Sequence, residues 1–271
     1  MIIAINYADN GFKKAQRLNS KTAKKWGADK VIEYGPADID EKFREKNKEI
    51  LDAKRGNGYY LWKPYFLNKA YKELGEDDYL IYTDSGAIYV NKIQYLIDCM
   101  NKQEVDIMVF SLPHDMLERK YTKRDAFILM GCDSLEFADT TQTIGGYVVL
   151  KKSKFVEEFL KEDLTYAQDS RIITDSPNIM GQPNYSGWID HRHDQSVFSL
   201  MTKKYHLKRF RDPSQFGIIG KFGGEIMDIS DYPQIIKSHR MNVATIAELH
   251  IKEWYKKALQ IIKQGRKRNE H

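Results

Sequence analysis

Apolar positions along this chain fall into two alternating rhythms. Short, nearly unbroken apolar runs occupy residues 1–7, 30–34, 79–83, 106–112 and 145–150. Runs of that length, rich in Ile, Leu, Val and Tyr, predict strands covered on both faces. Between them, apolar residues recur at helical spacing over 11–26, 38–54, 63–74, 122–130, 134–138, 153–166 and 193–204. Strands alternating with helices predict βαβ units, hence an α/β fold whose twisted, mostly parallel mixed sheet is flanked by helices. Thr174–Trp188 and 211–224 are rich in Gly, Pro, Asn and Ser and read as loops, while 243–264 reads as an amphipathic C-terminal helix. A structureless stretch as long as the first usually serves function. With no internal repeat, the economical division is one domain over 1–242 and a basic helical tail over 243–271.

Composition narrows the classes. At 271 residues, with 42% hydrophobic and 30% charged side chains, the chain can bury a large core and is not a disordered protein. Cys99 and Cys132 are the only cysteines and form no CxxC pair, which excludes a disulfide framework and a thiolate zinc site. The first apolar run is too short and lacks the basic flank of a signal peptide, and no run is long enough to cross a bilayer. A cytoplasmic location is expected. The net charge of +5 is concentrated late: from Lys252 to Arg268, seven basic residues face one acidic residue, Glu253. That patch suits an anionic membrane surface, nucleic acid or an anionic substrate, and equally a solvated helix face.

Four stretches carry candidate chemistry. Asp84-Ser85-Gly86 follows the strand 79–83. Ligands of open α/β sheets sit beyond the carboxyl ends of strands, although Asp-Ser-Gly also makes an ordinary turn. In Gly56–Tyr65, Gly58 permits close backbone approach and Lys63 stands beside the start of a helix, where it would meet a phosphate. Asp139–Gly146 sets hydroxyls and the Gln142 amide beside two glycines. Ile189–Gln195 gathers Asp190, His191, Arg192, His193 and Asp194. His at i and i+2 cannot share one helix face, so no helical zinc motif is present, and Asp194-Gln195 also suits the opening of a helix. His239 and Arg240 follow an Ile-Ile pair and are placed to emerge from a strand end.

On these residues the chain resembles bacterial glycosyltransferases of capsule and lipopolysaccharide clusters with the GT-A, Rossmann-type nucleotide-diphospho-sugar transferase fold. The matching features are Gly58–Pro64, Tyr79–Gly86, Lys123-Arg124-Asp125, Gln142–Leu150, His191–Ser196 and Ser238-His239-Arg240, in order across about residues 1–240. The resemblance implies transfer of a sugar from a nucleotide donor, UDP-linked by preference, to a glycan or lipid-linked acceptor in surface polysaccharide synthesis. It implies a donor site at Asn6, Tyr7, Lys63, Asp84, Ser85, Gly86 and Arg240, and acceptor contacts from Gln142, His191 and His193. Asp194 with Gln195 would form the reaction centre, with Asp139 the alternative carboxylate. Asp84 stands for the family's Asp-x-Asp element, but Gly86 occupies the second carboxylate's position. Either Asp84 and His239 hold Mn²⁺ or Mg²⁺ between them, or Lys63 and Arg240 neutralise the leaving diphosphate.

Two other classes fit the sequence less well. A metal-dependent hydrolase centred on His191, His193 and Asp194 lacks further ligands nearby in sequence. A nucleic-acid-binding protein lacks a basic–aromatic sheet motif, so no nucleic-acid partner is expected. Docking of the basic tail on the inner face of the cytoplasmic membrane is the remaining partner expectation.

Overall fold

The computed structural model describes residues 1–219 and 222–256. Its strands are β1 (Ile2–Tyr7), β2 (Lys30–Tyr34), β3 (Tyr79–Thr83), β4 (Ala87–Tyr89), β5 (Ile107–Phe110), β6 (Tyr147–Lys151), β7 (Arg209–Phe210) and β8 (Ile236–Ser238). Six of them form one sheet in the order β2-β1-β3-β6-β5-β7. β6 is antiparallel to both β3 and β5, while the other pairings in this sheet are parallel.

The continuous apolar runs are explained by cover on both faces. Ile3, Ile5, Leu80, Tyr82, Val148 and Leu150 point into one core with Phe66, Phe159 and Leu200. Their neighbours Ile2, Ala4, Ile81 and Val149 point into a second core with Leu96, Met100 and Ile235. Successive strand residues face opposite sides, so a sheet with helices on both faces has no polar alternation to show.

The topology positions the site. From β1 the chain passes to β2 on one side and then to β3 on the other. The winding therefore reverses between β1 and β3, and at such a switch point the strand ends open a crevice. A second, two-stranded sheet pairs β4 with β8, with Ala87 opposite Ser238, and carries residues 238–240 to the same end.

Several sequence expectations are adjusted. The single helix over 38–54 is a 3-10 turn at Pro36–Asp38 followed by helices Glu41–Lys46 and Lys48–Leu51. Asn47, at φ −114°, breaks the last two, and its side chain donates to the Phe43 carbonyl at 2.9 Å. The stretch 211–224 is not wholly a loop, since Gln215–Ile219 is helical and another helix, Gly224–Ile229, begins at its end. The expected C-terminal helix is helical over 246–256, and the expectations for 257–271 lie outside the described residues. Among the described residues no helix is long and apolar enough to cross a membrane.

Candidate active site

A cleft of about 1060 Å³ opens at the carboxyl ends of β1 and β3, lined among others by Tyr7, Trp62, Asp84, Tyr147, Gln195 and Arg240. Ser85 ties the two strand ends together by donating to the Tyr7 carbonyl at 2.6 Å. Tyr7 stacks on Trp62 with ring centroids 3.8 Å apart, and its hydroxyl bonds the Asn57 amide. The wall is shaped by a left-handed stretch, with φ of 54° at Asn57, 93° at Gly58, 51° at Tyr59 and 64° at Tyr60. A Cβ on Gly58 would lie 2.8 Å from the Leu51 Cα, so this glycine serves a chain crossing rather than a ligand approach.

Beneath the cleft floor sits an ionic cluster. Lys63, near the start of the Trp62–Tyr71 helix, places Nζ 2.6 Å from Asp194 Oδ2 and 3.7 Å from Asp84 Oδ1, and donates to the Gly145 carbonyl at 3.0 Å. Burial alone would drive the Lys63 ammonium toward neutrality, but Asp194 and Asp84 override it and raise its pKa. Burial raises the Asp194 carboxyl, and Lys63 offsets part of that effect. Asp163 and Asp194 share a cavity of about 10 Å³ with Lys63, room for one water. Burial, reinforced by Asp194, pushes Asp163 up to about 8. Asp84 differs: its side chain is 53% exposed, and its Oδ1 accepts from the Tyr82 hydroxyl at 2.6 Å.

Gln195 faces the cleft from the Asp194–Lys204 helix. Its Nε2 donates to Gln142 Oε1 at 2.9 Å and its Oε1 accepts from the Gly145 N–H at 3.2 Å. Gln142 is buried, and its own amide donates to Glu118 Oε2 at 3.1 Å. That bond fixes which way Gln142, and through it Gln195, presents its amide. A Cβ on Gly145 would sit 3.0 Å from the Gln195 Cβ, and one on Gly146 would sit 3.0 Å from Asp84 Oδ2. The glycine pair thus lets the chain enter β6 between these two side chains. Arg192 reaches the cleft, its guanidinium 3.7 Å from the Tyr121 ring centre.

The structure brings Tyr7, Asp84, Ser85, Gly86, Gln195, His239 and Arg240 to the cleft. Lys63 and Asp194 lie beneath it, paired to each other, and Lys63 is not free to meet a phosphate as expected. Other expected residues are placed elsewhere. Asn6 is buried and donates to Asn19 and Ser20 at 2.7 and 3.0 Å. Asp139 pairs with Arg119 outside the cleft. His191 accepts from the Lys123 N–H at 3.2 Å and donates to the Ile172 carbonyl at 2.8 Å. His193 donates to the Ile173 carbonyl at 2.9 Å and accepts from Arg55 at 2.7 Å. Burial lowers both imidazoles, well below the usual range for His191. All four ring nitrogens are engaged within the protein, so neither histidine offers a lone pair to a metal, and the hydrolase arrangement does not form. Asp163, Glu118 and Tyr82 were missed in the sequence because each lies at an unremarkable position of a helix or strand.

The donor set does not fit a divalent cation. Among the described residues no group of three or more His, Cys, Asp or Glu side chains is gathered as a metal would need. His239 Nδ1 accepts from the Met241 N–H at 3.1 Å, so in the neutral ring the proton is on Nε2. Burial lowers the His239 pKa and keeps that ring neutral. Gly86 cannot readily give way to a carboxylate, because its Cβ would lie 3.0 Å from the Arg240 Cα.

No protein-family model and no curated protein matches the chain. Among solved structures it is similar to mouse xyloside xylosyltransferase 1 in its apo form, with TM-score 0.49 and 10% identity over 89% of this chain and 98% of that one. It is likewise similar to the galactosyltransferase LgtC in complex with donor and acceptor sugar analogs, with TM-score 0.49 and 12% identity over 88% and 87%. The bifunctional glycosyltransferase WbbM matches with TM-score 0.47 and 9% identity over 88% of this chain and 45% of that one. Likenesses of this strength do not carry function, which rests here on the residues of the cleft.

Proposed function

We propose that the protein is a glycosyltransferase that moves a sugar from a nucleotide donor, UDP-linked by preference, to a glycan or lipid-linked acceptor of a surface polysaccharide. The observation that carries this reading is the cleft at the β1/β3 switch point. It joins an aromatic wall, Tyr7 on Trp62, to an exposed carboxylate, Asp84, and two guanidinium groups, Arg192 and Arg240. A planar base suits the wall, hydroxyls suit Asp84 and Ser85, and a diphosphate suits the cations.

Breaking the anomeric C–O bond places negative charge on the departing diphosphate and positive charge on the sugar ring. Arg192 and Arg240 stabilise the first. Gln195, held by Gln142 and Gly145, presents a fixed amide to the reacting sugar. Lys63 and Asp194 keep this floor rigid and neutral from below rather than touching substrate. The chain works in the cytoplasm, with its basic C-terminal segment resting on the anionic membrane that carries the acceptor.

A thermal-shift screen of UDP-, GDP-, CMP- and dTDP-sugars, with and without Mn²⁺, tests this reading. Stabilisation by one donor class supports it. Absence of any shift or any hydrolysis across the panel sinks it.

A further inference from the structure

We infer that the cleft holds the diphosphate of its donor without a divalent metal, and that His239 contributes a hydrogen-bond donor to it. The inference rests on the reading of the ligand as a nucleoside diphosphate sugar. Three observations lead to it.

The first is the polarity of His239. A histidine that ligates a metal through one nitrogen normally donates the other N–H to a carbonyl or carboxylate. Here the other nitrogen, Nδ1, accepts from the Met241 backbone N–H at 3.1 Å. A backbone N–H can only donate, so the ring proton must be on Nε2. His239 is 8% exposed, it lines the cleft, and its buried Nε2 has no partner among the described residues. A buried donor without an acceptor is costly unless a ligand supplies one. A phosphate oxygen fits that requirement and a cation does not.

The second is the crowding at Gly86. His239 and Arg240 both direct their backbone N–H groups at the Gly86 carbonyl, at 2.8 Å each. The Arg240 backbone consequently fills the space into which a side chain at 86 would project. The second carboxylate of a metal-binding pair could therefore enter at 86 only if the Arg240 backbone, 3.0 Å from its Cβ, gave way.

The third is the disposition of charge around Asp84. Its Oδ1 already accepts from Tyr82 at 2.6 Å and faces the Lys63 ammonium at 3.7 Å. A metal at that oxygen would meet a fixed cation nearby. Arg192 and Arg240 line the same cleft and supply the positive charge that a diphosphate needs.

Calorimetric titration of the full-length protein with UDP, GDP, dTDP and inorganic pyrophosphate, in excess EDTA and then in Mn²⁺, decides the matter. A probe that binds in EDTA within about threefold of its affinity in Mn²⁺ is the expected result. His239→Ala should weaken that binding about tenfold to a hundredfold, and His239→Gln, which restores an N–H at the Nε2 position, should recover most of it. Binding that appears only with Mn²⁺ overturns the inference while leaving the nucleotide reading standing. Unchanged affinity in His239→Ala overturns it as well. No binding of any probe under either condition removes the nucleotide reading and the inference with it. A ¹⁵N-histidine spectrum of the unsubstituted protein gives a check independent of variant folding: the expected signal is the Nε2–H tautomer at His239, and the Nδ1–H tautomer would refute the assignment.

Discussion

Lys63 Nζ stands 2.6 Å from Asp194 Oδ2 although the two residues are far apart in the chain, and their side chains are only 11% and 8% exposed. Among the described residues each is the other's nearest opposite charge, with Asp84 Oδ1 farther from Lys63 Nζ at 3.7 Å, so each makes the other's burial tolerable. The pair joins the start of the Trp62–Tyr71 helix to the start of the Asp194–Lys204 helix beneath the cleft.

Lys63→Met should therefore destabilise the protein by about 3–5 kcal/mol, because it strands the Asp194 carboxylate in a dry site. The double variant with Asp194→Asn should cost less than the sum of the two single changes. Urea unfolding of the four proteins measures this coupling, and strict additivity would show that the pair is not a unit.

Asp163 titrates at about 8 in the folded protein, against about 3.9 when unfolded. Because the folded value is the higher one, its contribution to stability is complete below about pH 4 and is lost as pH rises through about 8. Ionisation would add a second carboxylate to a cavity whose one cation already serves Asp194. Asp163→Asn should match the original protein near pH 4 and exceed its stability increasingly as pH rises toward about 8, by a few kcal/mol. Urea midpoints across that range read the effect, and parallel curves for the two proteins would refute it.

Gly86→Asp should fail to create a metal site. Its Cβ would press on the Arg240 backbone at 3.0 Å, so the β4–β8 pairing must shift. The expected cost is roughly 1–3 kcal/mol. Thermal unfolding combined with a Mn²⁺ titration followed by electron paramagnetic resonance checks both parts, and tight Mn²⁺ binding by an undisturbed variant is the contrary outcome.

Removing residues 257–271 deletes five of the seven basic residues between Lys252 and Arg268, namely Lys257, Lys263, Arg266, Lys267 and Arg268. Each is worth about 1 kcal/mol against an anionic bilayer. Co-sedimentation with vesicles containing anionic lipid should fall by at least tenfold, with the loss diminished at high salt. Equal sedimentation of the shortened and complete chains would leave the tail without a membrane role.

The strands of the main sheet's centre and the Asp84-Ser85-Gly86 turn were legible in the linear chain because their causes are local. Apolar runs such as Tyr79–Thr83 must be covered on both faces wherever they sit, and a turn must follow them. The helix break at Asn47 and the two-residue strand β7 escaped because each depends on neighbours distant in sequence, Asn47 through Gln168 at 3.3 Å and Arg209 through its pairing with Val109. The site divides in the same way. A dense stretch such as His191–Asp194 marks polar side chains but not the direction in which each points. Folding turned His191 and His193 inward onto carbonyls of residues 172 and 173, sent Asp194 down to Lys63, and left Gln195 and Arg192 facing the cleft. Likewise, composition marks His239 as a titratable group, whereas the backbone N–H of Met241 selects which nitrogen holds its proton. Hydrophobic periodicity is written residue by residue; the partner of a buried charge or ring nitrogen is chosen by topology, across chain separations that no local pattern records.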